Sequence, residues 1–348
     1  VSVSDFDSGA TRAGAFVDDP IAGLARSTDN TLHLWAVNVN EFGRVSHDDL
    51  HPTNRRQYNI ATWYWEMEDV PARFAETALR PDELWAPSQL VRSAFLGSTN
   101  APILHIHPSI RPMVPAKSRD DVLAPLGISP STLVVLVSFD ARSVANRKNP
   151  LGAIEAFRRA FGPDSAEAVL IVKAHSLSDD EVYANKLRAE LAAVNGVLID
   201  QPIADQEFTD LLGASDIYLS LHRCEGFGLG MAEAMLLGKP VVATGFSGNR
   251  TFMNLGNSCL VGYTVRPLDA ADLALHPDQM DAYDLGSLWA EPDLDQAASW
   301  LRLLHSDTVR RAEIGERARL SAVQTFDPAR TGQVMVNRLW ELHDQLNP

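Results

Sequence analysis

Glu225 and Glu233 bracket a glycine-rich turn, and the residue types between them restrict the chemistry. The stretch 220–249 reads SLHRCEGFGLGMAEAMLLGKPVVATGFSGN. Gly226 and Gly228 have no Cβ, so the backbone can approach a ligand closely. Together with Phe227 and Leu229 they turn amide N–H groups toward it. A helical pattern starts near Gly228, and the positive end of its dipole suits a phosphate. A carboxylate is electrostatically awkward beside a phosphate. Glu225, just before the helix, and Glu233, in its second turn, are therefore assigned to sugar or ribose hydroxyls. A second glycine-rich turn, Ser247-Gly248-Asn249, follows the apolar run Val241-Val242-Ala243-Thr244 and is expected to add contacts. A phosphate between two readers of hydroxyl groups describes a nucleotide sugar.

These loops need rigid supports, and the surrounding pattern supplies them. Ile217-Tyr218-Leu219-Ser220-Leu221 reads as a buried strand, and 229–237 as a helix closed by Gly238 and Pro240. The run 133–138 (LVVLVS) reads as a strand buried on both faces. It empties into a loop with Arg142, Arg147 and Lys148, followed by a helix over 150–161 with Pro150 in its first turn. An isolated Arg-Lys pair is usually an exposed turn. This one lies at the C-terminal end of a parallel strand, where such folds bind ligands. Strands at 168–173, 197–200 and 241–244 alternate with helices at 180–193 and 207–214. That alternation implies an α/β class with a doubly wound parallel sheet. Residues 264–292 read as loop-rich, ending in Leu288-Trp289-Ala290-Glu291-Pro292. Helices are expected over 293–305, 308–323 and 327–346.

The spacing of EGFGLGMAE, with KPVVAT and GFSGN behind it, resembles the signature of the retaining glycosyltransferases of family 4, which have the GT-B fold. The resemblance is strong over 131–325 and weaker over 31–130. It implies two Rossmann-like domains facing across a cleft, with the nucleotide-sugar donor in the second and the acceptor approaching from the first. Lys148 and an arginine would then grip the donor diphosphate, Arg147 and Arg142 competing for the arginine's place. Glu233 would hold the ribose and Glu225 the donor sugar, with Gly226, Phe227, Gly228, Leu229, Ser247, Gly248 and Asn249 around them. The expected boundaries are 1–118 for the acceptor-side domain, 119–130 for a linker, 131–325 for the donor domain, and 326–348 for a helix crossing back.

The first half departs from that pattern. Chains of this family usually begin with a strand, a glycine-rich loop and a helix. Residues 1–4 (VSVS) read as a short strand, but Gly9, Gly14 and Gly23 lie in a polar stretch without helical periodicity. Either the chain is cut from a longer one or its first βα unit is expected to be missing. A strand is expected at 31–37, a polar loop at 43–59, and a strand at 60–65. The latter ends in Trp63-Tyr64-Trp65-Glu66, which suits either a core edge or a sugar platform of aromatic faces and a carboxylate. Many family members place a histidine at this strand end, and a polysaccharide-assembly subgroup has a Trp-Glu pair there. Glu66 is accordingly an acceptor-side candidate. His105 and His107 alternate onto one face of a strand at 103–108, with no third metal ligand in sight.

Composition narrows the partners. The chain has 348 residues, a formal net charge of −15, 45% hydrophobic and 22% charged residues. That length suggests two domains. The negative charge argues against nucleic acid as a partner and against a polybasic membrane-docking surface, while leaving room for a local basic patch. Cys224 and Cys259 make neither a disulfide framework nor a zinc set. No run is long enough to span a membrane, and the start VSVSDFDSGA lacks signal-peptide regions. A reducing cytoplasm is the expected compartment, with peripheral contact at the inner face of the membrane open to an enzyme of lipid-linked acceptors.

The expected reaction is retaining transfer of a sugar, mannose being the family default, to a hydroxyl of a glycan or lipid-linked acceptor, as in polysaccharide assembly. No metal and no cofactor are expected. Asp120-Asp121 and Asp179-Asp180 read as linker and helix-start acids, and cationic side chains can take a divalent ion's place. One rival is a nucleotide-sugar-binding module, or part of a larger assembly, without transfer activity. A nicotinamide oxidoreductase is disfavoured because Val241–Thr244 leads to Gly245-Phe246-Ser247, with no acid at the strand end. A GT-B phosphorylase or a sugar epimerase shares the fold.

Overall fold

The run Leu133–Asp140 alternates its side chains between two apolar cores, and the second half of the molecule is layered around it. The structure is a computed structural model and describes residues 31–51, 57–273 and 283–346. The expected strand at 1–4 and the glycines at 9, 14 and 23 lie outside the described residues. The chain forms two compact units.

The larger unit comprises Glu66–Glu68 and Ser109–Pro328. Its parallel strands are β5 (Leu133–Asp140), β6 (Ala168–His175), β7 (Val197–Ile199), β8 (Ile217–Ser220), β9 (Val241–Thr244) and β10 (Cys259–Val261). They lie in the order β10-β9-β8-β5-β6-β7. The chain winds outward from β5 through β6 and β7, then returns to β5's other side with β8. The switch point, where loops diverge and leave a crevice, is therefore between β5 and β8. Leu133, Val135 and Val137 face a core shared with helices Pro150–Phe161, Glu181–Ala192 and Leu294–Ser306. Val134 and Leu136 face the other core, with helices Asp205–Ala214, Leu229–Leu236 and Thr308–Thr325. The period of two along a strand requires this division.

The smaller unit holds β1 (Thr31–Trp35), β2 (Gln57–Thr62), β3 (Glu83–Ala86) and β4 (Ile103–His105), all parallel and in sequence order. From Ala329 onward the helix Pro328–Leu346 belongs to this unit. Leu342 packs with Ile60 and Trp85. Arg338 pairs at 2.7 Å with Glu83, a fully buried carboxylate that also accepts from Trp85 Nε1 at 2.7 Å and Tyr58 OH at 3.2 Å. A buried charge is tolerable when it is partnered this completely.

Several expectations are corrected. Residues 119–130, expected as a linker, are packed into the larger unit. Leu123 is fully buried, and Arg119 donates to Ala214 O, to Thr132 O at 2.7 Å and to Asp216 at 2.8 Å. Within the expected polar loop 43–59, a helical turn His47–Leu50 buries Leu50, and β2 already begins at Gln57. That strand stops at Thr62, short of the aromatics. Residues 264–292 contain an antiparallel hairpin, β11 (Tyr263–Pro267) with β12 (Leu288–Pro292), rather than loop alone.

Candidate active site

Two loops flank the switch point of the larger unit, one after β5 and one after β8. The first carries Arg142, Arg147 and Lys148. Asn149 ends it in the left-handed region (φ 53°), a conformation asparagine tolerates well. Its side chain accepts from Gly152 N at 3.1 Å, capping the helix Pro150–Phe161. It also donates to Leu221 O at 2.8 Å, which ties this loop to the end of β8.

Across the crevice, Gly228 (φ 97°) starts the helix Leu229–Leu236 without a side-chain cap. The first-turn amides of such a helix have no intrahelical acceptor, so those of Leu229 and Gly230 point outward from its start. Gly230 passes close over Tyr218: a Cβ there would lie 2.3 Å from the phenol oxygen. Tyr218 OH in turn meets Ser138 Oγ at 2.7 Å.

Glu225 sits between the loops. Lys148 Nζ donates to its Oε1 at 2.5 Å, and Arg147 lies 3.2 Å from Oε2. Burial alone would raise this carboxyl, but the charges of Lys148 and Arg147 hold it down at about 2. Arg147 has only 3% of its side chain exposed. It also donates to Cys224 O at 2.9 Å and Ser143 O at 3.2 Å, and lies 3.6 Å from Glu66. Burial opposes its charge; Tyr283, Glu66 and Glu225 more than restore it, and its pKa lies well above the ordinary value. Glu66 accepts from Tyr283 OH at 3.1 Å as well. Glu66, Arg147, Glu225 and Lys148 thus form one chain of alternating charge.

The remaining expected residues are placed as follows. Arg142 has 35% of its side chain exposed and pairs with Asp140 at 3.3 Å. Glu233 is half-buried, and its carboxylate has no hydrogen-bond or ion-pair partner among the described residues. Burial, then the charge of Asp205, push its carboxyl up to about 7. Ser247 Oγ accepts from Glu225 N at 2.8 Å, and Gly248 N donates to Glu225 O at 2.8 Å. Asn249 is fully buried and donates to Thr244 O at 3.0 Å. Phe227 is buried against Phe252 and Phe326, while Leu229 is exposed. Cys224 is fully buried and burial drives its thiol pKa up, so it is a packing residue.

In the smaller unit, Trp63 and Trp65 are buried and Tyr64 is exposed. His105 and His107 stack edge-on with ring centroids 4.4 Å apart. Burial, then the neighbouring charges of His105 and Arg330, lower His107 to about 4. Among the described residues no three His, Cys, Asp or Glu side chains are grouped to hold a metal ion. Nor is any described helix long and apolar enough to cross a membrane.

Sequence reasoning missed the buttress of these loops. Arg223, just before Cys224, makes a bidentate pair with Glu291 of β12 at 2.9 Å and donates to Asn146 O at 2.6 Å. Arg266 of β11 pairs with Asp272 at 2.7 Å and with Glu291 at 3.3 Å. Both guanidiniums lie over the fully buried Trp289, at 5.2 Å and 5.1 Å from its ring. Such contacts strengthen as the partners lose water. His222 was also missed. It is fully buried, 3.2 Å from Phe246 O through Nε2, and burial lowers its pKa. The signal available for the buttress was Arg266 and Trp289, an arginine and a tryptophan in a stretch read as loop.

Residues 135–278 match the family model of the glycosyl transferases group 1, less than half of the chain. No curated protein matches in sequence. Among solved structures, Anabaena HepE in complex with UDP and glucose is similar at 17% identity and TM-score 0.63, over 82% of this chain and 72% of HepE. Sucrose-phosphate synthase from Thermosynechococcus elongatus gives 14% and 0.64, over 91% of this chain and 74% of that one. TarM gives 15% and 0.61 over 88% of this chain, which spans only 54% of TarM. At such identities the likeness concerns the fold. The chain has the two-domain GT-B fold, and its larger unit carries the match to the group 1 glycosyl transferases.

Proposed function

We propose that the protein transfers a sugar from a nucleotide-diphosphate sugar to a hydroxyl of a glycan or lipid-linked acceptor, with retention and without a metal ion. The observation that carries this reading is the Lys148–Glu225–Arg147 cluster beside the uncapped start of the helix Leu229–Leu236. Charge develops on the diphosphate as its bond to the sugar breaks. Lys148 and the first-turn amides are the groups positioned to stabilise that charge, each such contact contributing about 3–4 kcal/mol in sites of this kind. Of the two competing arginines, Arg147 is buried and spent on two carboxylates and two carbonyls. Arg142, a third exposed, is the one assigned to the diphosphate. Arg147 is then a positioning residue for Glu225 and Glu66.

Glu233 is assigned to the ribose hydroxyls, Glu225 to the donor sugar, and Glu66 to the acceptor side. The sugar is a hexose, with mannose suggested by the family resemblance. HepE and TarM support the donor class insofar as structures of both hold UDP. The test is a pair of measurements on Glu225→Gln. Binding of the bare nucleotide diphosphate, by calorimetry with and without EDTA, should be nearly unchanged, while sugar transfer should fall. If no nucleotide diphosphate binds the unmodified protein, or if binding disappears with EDTA, the reading is wrong.

A further inference from the structure

A buried lysine outside the cluster has no assigned task. Lys173 lies near the C-terminal end of β6 and is only 7% exposed. An ammonium carries three donors. Among the described residues one is used, on the carbonyl of its own neighbour Ala174 at 2.6 Å, and no carboxylate pairs with it. Burying a charge in this state is costly unless something else accepts from it.

Its place on the sheet says what that acceptor is. Lys173 is in register with Ser138 on β5 and with Ile199 on β7. Ile171 and Leu136, two residues earlier on their strands, share the core that contains Tyr218, Met231 and Met235. By the period of two, Lys173 and Ser138 lie on that same face. Ser138 bonds Tyr218, and Gly230 of the first helical turn packs over Tyr218. The Tyr218 hydroxyl, Ser138 and Lys173 therefore form a row across β8, β5 and β6, with Gly230 of the helix packed over its first member. Tyr218 itself stands opposite Leu136 and hence Ile171, so its backbone lies two strand spacings across and two residues back from Lys173, roughly 12 Å away. A diphosphate at the helix start leaves the far end of its nucleoside over this row. Asp200 and Asp140 add negative potential at Lys173. That disfavours a second phosphate there and leaves a neutral acceptor.

We propose that Lys173 donates a hydrogen bond to a carbonyl oxygen of the nucleobase, so that the site takes a base with an exocyclic oxygen, uracil or guanine, over adenine. This rests on the nucleotide-sugar reading above. The test is calorimetric titration of the unmodified protein and of Lys173→Met with UDP, GDP and ADP. The unmodified protein should bind UDP or GDP more tightly than ADP. Lys173→Met should weaken that preferred nucleotide by about tenfold or more, the loss of a charged hydrogen bond, and leave ADP within about twofold. Lys173→Arg, which keeps the donors, should retain the preference and serves if the Met variant does not fold. Equal losses for all three nucleotides, no loss in either variant, or a preference for ADP would overturn the proposal. If none of the three binds the unmodified protein, the nucleotide-sugar reading itself falls.

Discussion

Glu233 makes the stability of the larger unit depend on pH in a direction unusual for a carboxylate. Burial and Asp205 raise its pKa to about 7 from an ordinary value of 4.5. Between these values the folded protein holds a proton that the unfolded chain has released, so stability falls as pH rises through that window. Each unit of separation corresponds to about 1.4 kcal/mol, so the full window amounts to roughly 3 kcal/mol. The side chain is partly solvated, which reduces the expected effect to about 2 kcal/mol. Glu233→Gln should remove it. The variant should match the unmodified protein near pH 5 and exceed it above pH 7, by roughly 4–8 °C in Tm for a unit of this size. Glu225 titrates in the opposite sense: its carboxyl is held at about 2, so its stabilisation is lost only as pH falls below 4.5 toward that value. The two windows are separate, and scans from pH 5 to 8 isolate Glu233. Parallel pH profiles for the two proteins would refute the reasoning. The same carboxyl should release a proton when a ribose diol donates to it. Nucleotide binding near pH 6 should then show an enthalpy that varies with buffer ionisation heat, and Glu233→Gln should not.

Three further outcomes are expected. Lys148→Ala should weaken nucleotide diphosphate binding by about 1.5–3 kcal/mol, while Lys186→Ala, on the exposed face of the helix Glu181–Ala192, should not; equal effects in calorimetry would remove Lys148 from the phosphate site. Arg147→Ala leaves Glu66 and Glu225 short of their shared partner and should cost roughly 3–5 kcal/mol in denaturant unfolding; a loss below about 1 kcal/mol would show that the cluster does not depend on it. Gly230→Ala drives a methyl into the Tyr218 hydroxyl and should destabilise by about 1–3 kcal/mol. Tyr218→Phe removes the oxygen it meets, so a double-mutant cycle should show the two changes to be less than additive, and strict additivity would count against the contact.

The sheet of the larger unit was legible because its strands are short apolar runs bounded by turn residues, as at Val241–Thr244, where the expected and observed limits agree. The glycine turn was legible because Gly226 and Gly228 stand between two glutamates, a local pattern that needs no tertiary information. Arg147 is the opposite case. Nothing local distinguishes a buried arginine from a solvated one, and its partners Glu66 and Glu225 lie far off in the chain. The hairpin β11–β12 was read as loop because its strand Tyr263–Pro267 is largely exposed, so the apolar alternation that marks a half-buried strand is weak. Lys173 was invisible for a related reason. A charge in an apolar run reads as a strand end, and only the register with Ser138 shows which neighbours it has. The stretch 119–130 looked like a linker because proline and charge dominate it, although Arg119 and Leu123 anchor it.

The crossing of the loops after β8 and β9 has a bearing on how this site could be redesigned. A Cβ on Gly248 would lie 2.2 Å from Gly226 O, and the loops exchange hydrogen bonds through Glu225 N, Glu225 O, Ser247 Oγ and Gly248 N. They are two pieces of sequence but one mechanical part. Grafting either loop alone from a relative would set a new backbone against an old one at van der Waals contact. The smallest transplantable module is therefore the whole of 220–249, and recombination between homologues should tolerate crossovers on either side of that block far better than within it.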